Sequence, residues 1–105
     1  MFTQIQSQAI LKSIQNIIIA DNHIAIEEAI CWRTIKQQLG LSDKDFKEAI
    51  VMPQELMVSI IKHLSYSQKE KVKEFWFLTA AIDNHIDWRE MGVISLMAKD
   101  CEINL

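Results

Sequence analysis

Asp21-Asn22-His23-Ile24-Ala25-Ile26-Glu27-Glu28 has a close counterpart later in the chain, Asp83-Asn84-His85-Ile86-Asp87-Trp88-Arg89-Glu90. The two stretches share the pattern Asp-Asn-His-Ile-x-x-x-Glu at an offset of 62 residues (83 − 21). Each follows one apolar stretch with helical periodicity and precedes another. The sequence therefore predicts an internal duplication of a helix–turn–helix unit. The duplication is expected to be old, because the identity does not continue into the flanking helices.

The periodicity on either side of these turns predicts helices and no strand. In a first helix over 2–20, one face is apolar and the opposite face is polar. The apolar face holds Ile10, Leu11, Ile14, Ile17 and Ile18, and the polar face holds Gln4, Gln8, Lys12 and Gln15. A second helix over 25–39 buries Ala25, Ala29, Trp32, Ile35 and Leu39.

Start and stop signals divide the rest of the chain into four further helices. Gly40 ends the second helix, and Ser42 caps a short third one. Pro53 stops that helix and opens a fourth over 54–64. Ser67 begins a capping box that opens a fifth helix reaching 82, and a last helix covers 88–101.

Length and composition favour one all-α domain. The chain has 105 residues, of which 50% are hydrophobic and 24% charged, with only 2 Gly and 1 Pro. This balance excludes intrinsic disorder, and so few turn formers favour long helices over a β-sandwich. We expect residues 1–105 to form a single antiparallel bundle of about six helices.

Charge and apolar runs exclude several classes of partner. The net charge is −3, and the basic residues are dispersed rather than gathered on one face, so no nucleic-acid partner is expected. No apolar run approaches the length of a membrane span. Cys31 and Cys101 stand outside any metal or redox spacing, and no signal sequence precedes the first helix, which indicates a cytoplasmic protein with free thiols.

The repeated turns allow two interpretations. In the first, Asp and Asn shape the turn and the Glu caps the next helix; Asp87 and Glu90 fit that arrangement, but Ala25 stands at the equivalent place in the first copy. In the second, Asp21, Glu28, Asp83 and Glu90 converge on one divalent cation. Oxygen ligands suit Ca²⁺, Mg²⁺ or Mn²⁺, and the spacing is too short for an EF-hand.

The remaining chemistry-bearing residues are read more simply. His23 and His85 are expected to be exposed turn residues, with metal ligation as the alternative, and His63 to contact carbonyl groups at a helix end. The helical aromatic residues are expected to be mostly core, with one ring of the Phe75–Phe77 run exposed; they are Trp32, Phe75, Trp76, Phe77 and Trp88. Cys31 is expected to be buried and inert.

At these two turns the sequence resembles the TerB-like family, small helical domains named for a tellurite-resistance protein. That family carries two turns of the form Asp-Gly-x-Ile-x-x-x-Glu, and the run Leu39-Gly40-Leu41-Ser42 is similar to its Leu-Gly-Leu-Ser. Here Asn22 and Asn84 replace the usual Gly, and the chain is short for the family. The resemblance implies an all-α fold with a pseudo-repeat, and a divalent metal at Asp21, Glu28, Asp83 and Glu90.

The resulting hypothesis is a small cytoplasmic metal-binding or metal-sensing module of the tellurite-resistance, stress-response type, acting through a protein partner. The alternative is a metal-free helical interaction domain whose acidic turns only cap helices. No enzyme is predicted, because the sequence has no nucleophile–base motif, no Gly-rich phosphate loop and no His-Glu-x-x-His. The sequence leaves the ion, the partner and the oligomeric state open.

Overall fold

The chain folds into helices in the predicted order. A computed structural model describes residues 2–20, 26–81 and 88–105, and of residues 26–29 the backbone only. The described residues form six helices and no strand, which confirms the all-α bundle. The helices are α1 (Gln4–Ile18), α2 (Ile26–Gln38), α3 (Asp43–Ile50), α4 (Gln54–Lys62), α5 (Tyr66–Ala81) and α6 (Trp88–Asp100). Among these helices, none is both long enough and apolar enough to cross a membrane.

Helix α1 lies at the centre of the fold and contacts all five other helices. The five apolar side chains predicted on its inner face are fully buried. Burial extends further round the helix than the prediction, because Ser7, Gln8, Ala9 and Ser13 are also buried. Helix α1 is therefore enclosed by its neighbours rather than laid against them along one face.

Gln8 lies on the face predicted to be polar, but it is buried. Its side chain is 5% exposed, because α3 packs over this side of α1. The Gln8 Nε2 group donates to Glu48 Oε2 at 2.9 Å and to Asp45 Oδ1 at 3.4 Å. Lys12, on the same predicted polar face, donates from Nζ to the carbonyl of Ile50 at 2.9 Å. The polar face of α1 is thus the docking surface for α3.

A hydrogen bond in the core joins α1 to α5. Trp76 Nε1 donates to Ser13 Oγ at 2.8 Å, and Ser13 Oγ donates to the carbonyl of Ile10 at 2.5 Å. Trp76 and Ser13 are both fully buried. The buried indole N–H has lost its hydrogen bond to water, and the serine hydroxyl replaces that bond. It thereby offsets the desolvation cost of burying Trp76, the largest core side chain.

The signals predicted for α2, α3 and α4 are confirmed. Gly40 ends α2 with φ +69°, the left-handed conformation that glycine adopts without strain. Ser42 caps α3 through a reciprocal box with Asp45, and α4 begins immediately after Pro53.

The capping box predicted at Ser67 lies two residues too late. Helix α5 begins at Tyr66, and its cap is Ser65: Gln68 N donates to Ser65 Oγ at 3.2 Å, and Ser65 N donates to Gln68 Oε1 at 3.0 Å. Ser-x-x-Gln from 65 and Ser-x-x-Glu from 67 both fit the capping pattern, so spacing alone did not separate them.

The internal repeat extends far beyond the turns. Residues 3–41 form the first unit, and residues 65–103 form the second unit. Both units open with the same cap, since Thr3 and Gln6 form the reciprocal box that Ser65 and Gln68 form 62 residues later. Helices α2 and α6 begin and end 62 residues apart and have 13 residues each. The turns themselves, 21–25 and 82–87, lie outside the described residues.

The two units also end alike. Each closing helix finishes with a left-handed residue, Gly40 at φ +69° and Glu102 at φ +57°. A buried apolar side chain follows in each, Leu41 and Ile103. The backbone bonds correspond one for one: Leu41 N to Lys36 O and Gly40 N to Gln37 O in the first unit, Ile103 N to Ala98 O and Glu102 N to Lys99 O in the second. The duplication predicted from eight residues therefore covers two helices and their caps.

Substituting Ser13→Ala should leave the Trp76 N–H buried without an acceptor. We expect the free energy of unfolding to fall by about 1–3 kcal/mol, measured by urea denaturation. Ser7→Ala, at a buried position of the same helix, is the matched control and should change stability by less than about 0.5 kcal/mol. Equal losses in the two variants would contradict the role given to the Ser13 hydroxyl.

Substituting Glu102→Gly should stabilise the protein, because glycine relieves the left-handed strain that glutamate bears at this position. The expected gain is about 0.5–1 kcal/mol, seen as a higher melting temperature, whereas Gly40→Ala should cost about 1 kcal/mol. Glu102→Gln is the control, since it removes the charge and the exposed 4.0 Å ion pair with Lys62 but keeps the strain. A gain from Glu102→Gln as large as from Glu102→Gly would assign the effect to charge instead.

Candidate functional site

The four predicted metal ligands occupy matching places in the two units. Asp21 and Asp83 fall in the turns and lie outside the described residues. Glu28 is the third residue of α2, where only the backbone is described, and Glu90 is the third residue of α6. The two glutamates thus stand at the same register of two equivalent helices, in the first helical turn, where the helix dipole favours a negative charge.

Glu90 is buried, with 3% of its surface exposed. Most carboxylates in first turns are solvated, as Glu55 is at the start of α4. A buried carboxylate is costly unless polar groups or cations compensate its charge. Its burial therefore distinguishes Glu90 from an ordinary helix-capping residue.

The described residues contain no group of three or more His, Cys, Asp and Glu side chains that could hold a metal ion. Three of the four predicted ligand side chains, and those of His23 and His85, lie outside that part of the chain, so the metal site stays a prediction. His63 is accounted for: its Nδ1 lies 2.7 Å from the carbonyl of Ser59, the helix-end contact predicted for it.

Neither cysteine is in a disulfide, and both are buried, with Cys31 5% exposed and Cys101 fully buried. Burial, assisted by the negative charge of Asp100, raises the pKa of the Cys101 thiol to about 11. A thiol that is both inaccessible and protonated is a poor nucleophile. Cys101 therefore does not have the surroundings of a reactive thiol.

The aromatic residues divide between core and surface. Phe75 and Trp76 are buried, Trp32 is half-buried, and Phe77 is 36% exposed, which confirms that one ring of the Phe75–Phe77 run faces outward. The expected burial of Trp88 is wrong, because its side chain is 79% exposed. The prediction rested on the helical position of Trp88 alone, but at the first residue of α6 none of the described helices covers the ring.

Clefts open between several of the described helices, and two of them are the larger ones considered for a ligand. One, of about 380 Å³, opens between α1, α4 and α6, and is lined by Asn16, Ile19, Gln54, Val93, Leu96, Met97 and Asp100. The other, of about 310 Å³, lies between α2 and α3 and is lined by Trp32, Arg33, Lys36, Asp43 and Phe46. The second combines aromatic rings with charged groups, a combination that the sequence did not single out because its members come from two helices.

Comparison with known proteins supports the fold alone. No family model matches the chain, and no curated protein matches it. Among solved structures it is similar to the crystal structure of a protein of unknown function from Porphyromonas gingivalis, with a TM-score of 0.83 and 21% identity. The match covers 99% of this chain and 87% of that one, so the whole bundle is shared.

Cys101 should resist alkylation in the folded protein. At pH 8 a pKa of about 11 leaves about a hundredfold less thiolate than the usual value of 9.0. The test is iodoacetamide labelling of Cys31→Ser, followed by mass spectrometry, with the same variant in urea as the control. Rapid labelling of protein that keeps its helical circular dichroism would contradict this burial.

The same pKa shift makes the free energy of unfolding depend on pH. Because the unfolded thiol ionises near pH 9.0 and the folded one near 11, its contribution to stability should be full below this window and fall as the pH rises through it.

Proposed function

We propose that this protein is a small TerB-like module of the tellurite-resistance, stress-response type, acting in the cytoplasm through a protein partner. In this proposal Asp21, Glu28, Asp83 and Glu90 supply oxygen ligands to a divalent cation, Ca²⁺, Mg²⁺ or Mn²⁺. The protein is not an enzyme in this proposal; the ion serves to hold or signal a conformation of the two turns.

The observation that carries the proposal is the burial of Glu90 at a position that the repeat duplicates. The unit boundaries, caps and closing helices correspond at a constant offset of 62, so Glu28 has the same backbone register as Glu90. Carboxylate oxygens are suitable ligands for a divalent cation, and the repeat places a second carboxylate at the same register. Capping alone does not require burial.

The second candidate function is a metal-free interaction domain, and the exposed aromatic side chains favour it. Trp88, the first residue of α6, is 79% exposed, and Phe77, in the C-terminal part of α5, is 36% exposed. Exposed tryptophan is common at protein interfaces because it buries a large area with little loss of side-chain entropy. In this case the residues that the two turns share would serve only to shape the helix connections.

Thermal melting of chelator-treated protein tests the first function. An ion present at about 100 times its Kd should stabilise by about 2.7 kcal/mol, which raises the melting temperature by about 10 °C or more. The shift should be lost in Asp83→Asn and in Glu28→Gln. Glu55→Gln, at an exposed first-turn carboxylate outside the repeat, is the matched control and should keep the full shift.

The pattern of outcomes separates the two functions. No shift with Ca²⁺, Mg²⁺ or Mn²⁺ would reject the metal site and leave the interaction domain. A shift that Glu55→Gln abolishes as well as Asp83→Asn would indicate non-specific cation binding to an acidic protein. Because Glu90 is buried, Glu90→Gln is compared with its own chelated baseline rather than with the wild type.

A further inference from the structure

The cleft between α2 and α3 is built like a small-molecule site and is separate from the acidic turns. Its volume of about 310 Å³ falls at the lower end of the range found for small ligands. Two faces of different chemistry line it: aromatic rings from both helices, and basic side chains one helical turn apart on α2. Each face has a specific geometry.

The aromatic face consists of Trp32 and Phe46. Their ring centroids are 4.8 Å apart and their planes are tilted by 51°, so the two rings form an angled wall rather than a closed stack. The Trp32 indole N–H is buried and has no hydrogen-bond acceptor among the described residues. A flat ring placed against this wall would gain the contact area that aromatic pairs provide.

The charged face has two basic side chains: Lys36 is in an ion pair, and Arg33 is in none within the described residues. Lys36 pairs with Asp43 and also stands 5.5 Å from the centroid of Phe46. The hydrogen bond and the charge of Lys36 lower the pKa of Asp43, so this carboxylate stays ionised at neutral pH. Arg33 is exposed and forms no ion pair within the described residues. The three charges leave a net +1, located at a guanidinium suited to bidentate binding of a carboxylate.

The second unit shows that the repeated helix does not require these residues. The positions equivalent to Trp32, Arg33 and Lys36 carry Ile94, Ser95 and Ala98 in α6, which has the same length and the same C-terminal cap. Trp32 and Lys36 also hold α3 against α2, by contacts with Phe46 and Asp43. Arg33 makes neither of these contacts, so the packing of α3 does not account for an arginine at this position.

We propose that this cleft binds a small aromatic monocarboxylate, with its ring against Trp32 and Phe46 and its carboxylate on Arg33. One negative charge matches the net charge of the lining. A dianion such as an aryl phosphate is disfavoured because Asp43 lies on the same rim and repels the second charge. This binding is independent of the cation proposed at the turns.

The experiment is a titration of ¹⁵N-labelled protein with 2-naphthoate, followed by the assigned indole N–H signal of Trp32. We expect a saturable shift at millimolar ligand, with the indole signals of Trp76 and Trp88 unmoved. Naphthalene-2-methanol, which keeps the ring but not the charge, and cyclohexanecarboxylate, which keeps the charge but not the aromatic ring, should bind much more weakly. Equal binding of 1-naphthyl phosphate would overturn the charge argument.

Two variants test the roles in opposite directions. Arg33→Gln should weaken 2-naphthoate binding about tenfold, whereas Lys44→Gln, an exposed α3 residue outside the cleft lining with the same change in charge, should weaken it less than about twofold. Asp43→Asn should strengthen binding, because it removes the repelling charge and releases Lys36. Arg33 and Asp43 are exposed, so these variants are expected to fold; their melting temperatures confirm it. Failure of 2-naphthoate to shift Trp32, or equal effects of Arg33→Gln and Lys44→Gln, would overturn the proposal.

Discussion

Helix α1 is enclosed by five others, and the hydrogen bonds of two of its buried polar side chains organise the rest of the structure; Gln15 Oε1, which is buried without a partner among the described residues, is an exception. Ser13 accepts from Trp76, which fixes the depth at which α5 sits against α1. Gln8 donates to Glu48 and Asp45, which fixes α3. The same Asp45 caps α3 through Ser42, and the Ser42 N–H and the Gln4 amide hold the pKa of Asp45 below its usual range. The contacts that satisfy α1 therefore also position its neighbours.

Sequence patterns predicted the apolar half of this arrangement and missed the polar half. Periodicity identifies the side of α1 that is buried in every arrangement, from Ile10 to Ile18, because apolar side chains are costly in water. It does not identify whether a later helix will cover the polar side, so the burial of Gln8 was not predicted. The error at Trp88 is the converse, since an aromatic side chain in a helix was assumed to find a cover. Both cases concern contacts between distant segments, which local patterns do not encode.

The candidate sites were predictable to different degrees. The register of Glu28 and Glu90 follows from the repeated letters, and local turn chemistry was enough to find it. The burial of Glu90 did not follow, because it depends on packing around the start of α6. The cleft at Arg33 left no signal, since its aromatic wall combines α2 with α3. Comparing the two units shows where α3 changes the environment of equivalent positions. Leu11 packs under α3 in a small cluster with Leu41 and Ala49, whereas its equivalent in the second unit, Lys73, pairs with Glu70.

The two units share one core. The main cluster of buried side chains draws on α1 and α2 as well as α5 and α6, and the serine–tryptophan bond spans 63 residues of chain. In a solenoid each repeat is stabilised mainly by its nearest neighbours, and unfolding can spread along the array. Here neither helix pair has a separate hydrophobic core that would stay folded when the other pair unfolds. A protein that is repetitive in sequence should accordingly behave as a single cooperative unit, with both halves gained and lost together.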